Sequence, residues 1–399
     1  MKIKIHIIWI LLFLISCKNN NRFENINIVP TLNIDINEFE KKIVNQLSNV
    51  FVPIEIIGLE TTQNSLIQNI DKLKILGQNI YILDTHGAKS LLVFTIDGRF
   101  KYKIGHAGNG PGEFMIPIDF DVSSTEVRIL SNKKILVFDL YGKFIREFSL
   151  DFSAHYFSRI SADFDAFYGA YNEDKIIVAN KKGRKKFSFF EYSPRNRLVT
   201  PWSIQKVDTV TIFNIPLCDT IFQVNKDIIS PYCVIDFGIG SFKYENFNNL
   251  PEENKMDAVN YVLSSKRFVL KQFYSETQDY KLLSFVYNKQ PIFSLHSKNL
   301  NSSLFYNVMD CHDDIWYSQI YGLPVCILDD NIVVFIQNYP VLAIEAYKKL
   351  KEKSFKEELT KNEKEILESL GIICKKLDEL SNPIIFIAKI NDAKFKRNI

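Results

Sequence analysis

The sequence predicts an all-β fold, a six-bladed β-propeller with small helical insertions, on three observations. Val93-Phe94-Thr95-Ile96-Asp97-Gly98-Arg99-Phe100 recurs as Val137-Phe138-Asp139-Leu140-Tyr141-Gly142-Lys143-Phe144, with Gly142 44 residues after Gly98. Each copy follows an alternating segment, Ile80-Tyr81-Ile82-Leu83-Asp84 and Val127-Arg128-Ile129-Leu130-Ser131. A repeat of roughly 40–50 residues made of short strands and Gly-containing turns is the signature of a propeller blade. One such sheet cannot bury both faces alone, so repetition implies a ring. Finally, a clean strand at residues 383–390 follows two helical stretches. It is placed to close the ring against a sheet begun at the other terminus, which removes an exposed edge.

Residues 54–60 alternate and read as a strand. The first clear blade has strands near 70–76, 80–84, 91–96 and 99–104, with Asp97-Gly98 as a hairpin turn. The second repeats this over 116–150, turning at Ser124-Thr125 and Tyr141-Gly142. The third is looser: 176–179, then 187–192, with Pro194-Arg195-Asn196 turning between strands. Strands 210–214 and 220–224 open a fourth, which ends near Val234-Ile235-Asp236-Phe237-Gly238. Segments 266–274 and 281–287 suggest the fifth; 304–309, 315–320 and 332–337 suggest the sixth. The degeneracy of the later repeats leaves seven blades open. Met256, Val259, Val262 and Leu263 mark a short amphipathic helix. The Lys/Glu-rich stretch 342–370 holds a capping box, Thr360-Lys361-Asn362-Glu363, and Gly371 stands as its helix stop. These insertions, at about 250–264 and 342–371, decorate a single propeller domain spanning 51–391.

The first 17 residues stand apart. Met1-Lys2-Ile3-Lys4 is basic, residues 5–15 are almost wholly apolar, and Leu14-Ile15-Ser16-Cys17 closes the segment. The run is too short for a mature membrane span and reads as an export signal. A small residue directly before cysteine matches a lipoprotein box, with Cys17 as the lipid attachment site; an ordinary signal with an incidental cysteine is the alternative. Residues 18–50 then form a tether and N-terminal segment, opening on polar Asn19-Asn20-Asn21-Arg22. The expected location is the cell envelope, lipid-anchored at the outer membrane, with the leaflet open.

Lys and Arg number 49 against 46 Asp and Glu, a net charge of +3, which argues against a nucleic-acid partner. With 32 Phe and 18 Tyr, the aromatics suit many short packed strands. Five cysteines follow Cys17 and no CxxC occurs. Cys218 with Cys233, or Cys311 with Cys326, are spaced to bridge adjacent strands; buried free thiols are the simpler reading.

Together these residues resemble the six-bladed β-propeller lipoproteins of Bacteroidetes, relatives of NHL-repeat propellers. The matching elements are the Cys17 box, Ile57-Gly58-Leu59-Glu60-Thr61, Ser65-Leu66-Ile67 and Ile80-Tyr81-Ile82-Leu83-Asp84. With them come the loop Gly108-Asn109-Gly110-Pro111-Gly112-Glu113-Phe114, Ile235-Asp236-Phe237-Gly238 and Asn382-Pro383-Ile384-Ile385. The resemblance implies fold and export, and no established reaction. The basic loop of blade three and the Lys/Glu-rich insert depart from it.

Strands of a blade run from A, innermost, to D, so B–C loops and D–A connections share one face. The unusual loops are assigned there. His86 falls in the first B–C loop; His106, Asn109 and Glu113 fall in the Gly-rich connection 105–114; His155 falls in the next D–A connection. Lys181, Lys182, Arg184, Lys185 and Lys186 are read as the blade-three B–C loop on the same rim. Gly110-Pro111-Gly112 sets up a type II turn, leaving Glu113 to accept backbone N–H groups. It is no phosphate loop, since no Gly-Lys-Ser/Thr follows. The basic loop is a solvated tip or an attractor of an anionic partner, an acidic glycan or membrane surface. Convergence of the three histidines on a metal needs separations the sequence does not fix, and neither metal nor cofactor is assigned. Cys311-His312-Asp313-Asp314 is placed in an A–B turn on the opposite rim, its aspartates serving the turn. No GxSxG or HExxH occurs. Asp84, Glu113 and Asp119 are the carboxylates an acid–base pair would draw on. The expectation is a membrane-anchored, non-enzymatic binding or protein-interaction module, taking a glycan, peptide or protein at the loop-rich rim. The alternative is a glycan- or peptide-acting hydrolase or lyase working in the funnel.

Overall fold

The computed structural model describes residues 29–397 apart from 38, 193–197, 201, 243–257, 321–322 and 329–330. The signal segment with Cys17, the Pro194-Arg195-Asn196 turn and Met256 lie outside the described residues. The first two strands, β1 (Thr31–Asn33) and β2 (Phe51–Gly58), join sheets completed much later in the chain. Blade one is β3 (Lys72–Leu76), β4 (Asn79–Asp84), β5 (Ser90–Thr95) and β6 (Phe100–Ile104). Blade two is β7 (Asp119–Val122), β8 (Val127–Ser131), β9 (Lys134–Phe138) and β10 (Phe144–Ser149). Blade three is β11 (Ala154–Arg159), β12 (Phe164–Gly169), β13 (Ile176–Asn180) and β14 (Lys185–Phe189). Blade four is β15 (Ile204–Val207), β16 (Val210–Asn214), β17 (Thr220–Val224) and β18 (Ile229–Asp236), with β1 added in parallel beside β18. Blade five is β19 (Leu270–Glu276), β20 (Tyr280–Tyr287), β21 (Gln290–Ser297) and β22 (Ser302–Asn307). Blade six is β23 (Cys326–Leu328), β24 (Ile332–Gln337) and β25 (Ile384–Ile390), completed by β2 as its outermost strand. The chain is a six-bladed β-propeller, sealed where β2 pairs with β25 from Phe51 opposite Ile390 to Gly58 opposite Ile384.

Period-2 patterning makes the ring. On β4, Ile80 and Ile82 pack with Ile57, Leu73 and Ile385 toward blade six, while Tyr81 and Leu83 pack with Phe120 and Ile129 toward blade two. Successive strand residues point to opposite faces, so a sheet buried on both faces needs an almost unbroken apolar run. That is the run Ile80-Tyr81-Ile82-Leu83.

The sequence repeat is a repeated turn. Thr95, Asp139 and Asn180 each accept a side-chain hydrogen bond from the backbone of the residue four later, Arg99, Lys143 and Arg184. In each turn the intervening glycine's N–H returns to the same residue's carbonyl. Gly98 and Gly183 sit at φ of 84° and 76°, and a Cβ would come within 2.3 and 2.2 Å of Gly58 O and Ser149 O. Glycine is therefore required twice over, by conformation and by the approach of the preceding blade.

Two placements differ from expectation because β11 and β12 are not separately legible in the sequence. Lys181-Lys182-Gly183-Arg184 is the third copy of this C–D turn, not a B–C loop, and His155 lies within β11. The segment 302–307 is the outer strand of blade five, and 315–320 forms no strand. Cys311-His312-Asp313-Asp314 therefore lies in the D–A connection from blade five to six, on the loop-crossing face and not the opposite rim. Asp313 there accepts N–H groups of Ile315, Trp316, Ser318 and Ile320, the turn chemistry expected of it.

Among the described residues there are four α-helices. α1 (Ala258–Ser264) precedes blade five, and α4 (Asp392–Arg397) follows β25. α2 (Pro340–Ser354) and α3 (Lys361–Cys374) fill the B–C loop of blade six. The Thr360–Glu363 capping box is formed, but Gly371 lies inside α3. Its missing Cβ lets the Tyr347 ring of α2 approach, at 3.2 Å from where a Cβ would stand.

Candidate functional site at the channel mouth

The innermost strands β3, β7 and β11 carry an unusual charge pattern for core-facing positions. Lys72 and Lys74 alternate with apolar residues on β3, and Asp119 and Asp121 do the same on β7. Nζ of Lys72 lies 2.5 Å from Asp119 Oδ1, and Nζ of Lys74 lies 2.5 Å from Asp121 Oδ1. The ladder continues into blade three: Arg128 donates to Glu126 at 2.7 Å and to Asp165 at 2.9 Å, and Arg159 reaches Glu126 at 3.0 Å. Buried charges persist only when paired and hydrogen-bonded, and these rungs satisfy that condition. Burial raises the Asp119 carboxyl against the opposing pull of Lys72. Burial also pushes Asp165 up to about 6 despite Arg128. On Asp121 burial works upward too, yet Lys74 outweighs it and holds the carboxyl low.

At the end of this ladder, where the crossing loops meet, is a cavity of about 180 Å³ lined by Asp71, Lys72, Thr85, His86, Ile118, Asp119 and Tyr156. Asp71 accepts from Thr85 N at 2.7 Å and Asn69 Nδ2 at 2.7 Å. Asp119 accepts from Phe157 N at 2.9 Å through its second oxygen. Burial raises the Tyr156 phenol, and the Asp119 and Asp71 carboxylates add to it, so the hydroxyl stays a donor. A second recess of about 390 Å³ lies beyond the 85–89 loop, lined in part by Gln63, Leu66, Gln68 and Lys103. Asp84 stiffens the dividing loop by accepting N–H groups of Gln68, Gly87 and Ala88. The lining thus offers fixed acceptors, a fixed ammonium and a phenolic donor around one small space.

The remaining sequence-predicted residues fall elsewhere. His106 is exposed and pairs with Glu113 at 2.9 Å. Glu113 also accepts from Gly110 N at 2.8 Å, and that backbone donor, then His106, holds its carboxyl low. Glu113 N returns to Gly110 O across Pro111 and Gly112, whose φ is 78°. The Gly-rich loop is thus a self-satisfied turn; exposed Asn109 sits within it. His155 is half-buried between the rings of Tyr156 and Tyr171, and burial, then Lys175, lowers its pKa. The basic turn is largely neutralised: Lys181 pairs with Asp163, Lys185 with Glu173 and Lys186 with Asp227. Lys181 bonds to Asp163, in the A–B turn of blade three, whereas Lys185 reaches Glu173 in the B–C loop, which also accepts from Ser153 N just before His155. Among the described residues no three His, Cys, Asp or Glu are grouped to hold a metal. Cys218, Cys233, Cys311, Cys326 and Cys374 are free thiols.

Sequence reasoning found His86 and weighed Asp119, but missed Asp71, Lys72, Thr85 and Tyr156. A usable signal was present: Lys-x-Lys at 72–74 and Asp-x-Asp at 119–121 stand 47 residues apart, about one blade, at two equivalent positions.

A family model described as a domain of unknown function (DUF4934) matches residues 30–389, and the chain belongs to that family. No curated protein matches. Among solved structures, a Bacteroides fragilis protein described as exported is similar at 18% identity and a TM-score of 0.70, covering 92% of this chain and 100% of that one. BamB of Moraxella catarrhalis is similar at 11% identity and a TM-score of 0.38, covering 65% and 68%. The first likeness shows the fold.

Proposed function

We propose that the protein is an exported, lipid-anchored binding module of the cell envelope that captures a small polar group in the cavity at the channel mouth. The observation that carries this reading is the cavity itself: Asp71, Lys72, Asp119 and Tyr156 present both signs of charge and a phenol in fixed positions around about 180 Å³. The ionisable groups already satisfy one another, which suits recognition of a hydroxylated or zwitterionic group more than proton transfer. Export and anchoring rest on residues 1–17 and Cys17, and are supported by the description of the B. fragilis relative in fold. The partner offering such a group is a glycan, a peptide or a protein.

The test is a thermal-shift screen of monosaccharides, dipeptides and amino acids against wild type and Tyr156→Phe. The expected result is a compound that raises Tm for wild type and not for the variant. A screen in which no compound acts, or one whose hit ignores Tyr156→Phe, overturns the assignment. Turnover of a glycan or peptide abolished by His86→Ala would instead establish the funnel as a hydrolase or lyase site. Lipidation is tested by palmitate labelling, expected in wild type and lost in Cys17→Ala.

A further inference from the structure

We infer that the outer turns of blades three and four form the membrane-facing edge of the disc, docking on anionic lipid headgroups. This rests on the proposed anchoring at Cys17.

The first observation is where the chain enters the fold. Thr31 pairs with Val234 and Asn33 with Asp236, so β1 runs parallel to β18, and Val234 N donates to Pro30 O at 2.8 Å. β1 therefore starts beside Val234 and runs in the direction of β18, away from the β17–β18 turn at residues 225–228. Eleven positions, 18–28, separate Cys17 from the first described residue. Fully extended, a segment of that length spans at most about 40 Å. A lipid on Cys17 keeps the entry edge close to the bilayer.

The second observation is charge. Lys186 Nζ bonds to Lys226 O at 3.3 Å and Asp227 Oδ1 at 2.6 Å, which joins the blade-three and blade-four turns into one surface. That surface carries Lys181, Lys182, Arg184, Lys185, Lys186 and Lys226 against Asp151, Asp163, Glu173 and Asp227. Two cations are left over. Lys182 and Arg184, both exposed at the tip, make no ion pair among the described residues. Juxtamembrane Lys and Arg are attracted to anionic lipid by about a fivefold gain in binding each. The channel mouth is lined from the innermost strands, whereas this turn leads into the outermost strand of blade three, so the mouth stays accessible while the outer edge is engaged.

The experiment uses the full lipidated protein in detergent, in phosphatidylcholine vesicles and in vesicles containing phosphatidylglycerol. Flotation is measured first, then lysine acetylation by mass spectrometry. The expected result is co-flotation with at least fivefold slower acetylation of Lys182 and Lys226 in the phosphatidylglycerol vesicles, and no change at exposed Lys89 in the 85–89 loop. Co-flotation with unprotected Lys182, or with Lys89 protected instead, overturns the docking edge and leaves the anchor standing. Failure to float overturns the anchor and this inference together. Protection by a soluble acidic polysaccharide and not by vesicles reassigns the turn to the polysaccharide and overturns the membrane assignment.

Discussion

Blades one to three and blades four to six solve the same packing problem by different means. The first three are continuous in sequence, share one hairpin turn and are cross-tied by ion pairs along their inner strands. The last three draw in the N-terminus twice, as β1 beside β18 and β2 beside β25, and carry the helical pair α2 and α3. Their cohesion combines aromatic packing with uncharged side-chain bonds between blades, such as Gln205 to Tyr274 O and Thr277 to Asn331. Phe39 packs against Phe285, Tyr287 and Phe305, and Phe335 sits 5.2 Å from Phe51 and 5.5 Å from Trp316. The lesson is that the charged half carries the cavity, while the other half carries closure.

Substitutions sharpen this division. The largest effect is expected from Phe335→Ala, which opens a cavity among Phe51, Trp316 and the strands that close the ring. A loss of about 3–5 kcal/mol in chemical denaturation is expected, and a loss below 1 kcal/mol would show that closure does not depend on this cluster. Asn382→Ala comes next. Its side chain donates to Glu60 O and Ser65 O and accepts from Ile67 N, so truncation strands buried backbone groups at the seam. About 2–3 kcal/mol is expected.

Gly183→Ala tests the regular half at the third copy of its turn. Positive φ alone costs about 1–2 kcal/mol for a residue with a Cβ, and the clash with Ser149 O adds to it. A neutral result would break the equivalence of the three turns.

That equivalence also marks what was legible. Asp97-Gly98 and Tyr141-Gly142 stand out because the same strand pattern precedes both. Lys182-Gly183 has the same geometry but was masked by its run of lysines and by β11 and β12, whose aromatics and polar residues do not alternate cleanly. The Asn382 seam was visible as motifs at 57–67 and 382–385, and the structure supplies the reason: one amide side chain holds them together. The cavity was largely illegible because its residues come from three blades, and no single segment announces that Asp71, His86 and Tyr156 meet.

Smaller effects follow. Glu363 accepts from Tyr317 Oη, Lys353 Nζ and Thr360 N. Burial works to raise its carboxyl, yet these donors, Lys353 first, hold it at about 2. A carboxyl held below its unfolded value stabilises the fold above that value and loses the contribution as pH falls. The α2–α3 pair should therefore loosen between pH 4.5 and about 2 in wild type, and Glu363→Gln should flatten that dependence when followed by hydrogen exchange. Smallest of all, Lys181→Ala removes an exposed pair with Asp163 and should leave the denaturation midpoint unchanged.

The most direct test of the channel mouth as a binding site is hydrogen exchange with and without the best compound from the thermal screen. Slowed exchange at residues 85–89 and at the start of β7 and β11, with 181–184 unchanged, is the predicted footprint. Protection confined to the outer turns, or spread evenly over the ring, would contradict it.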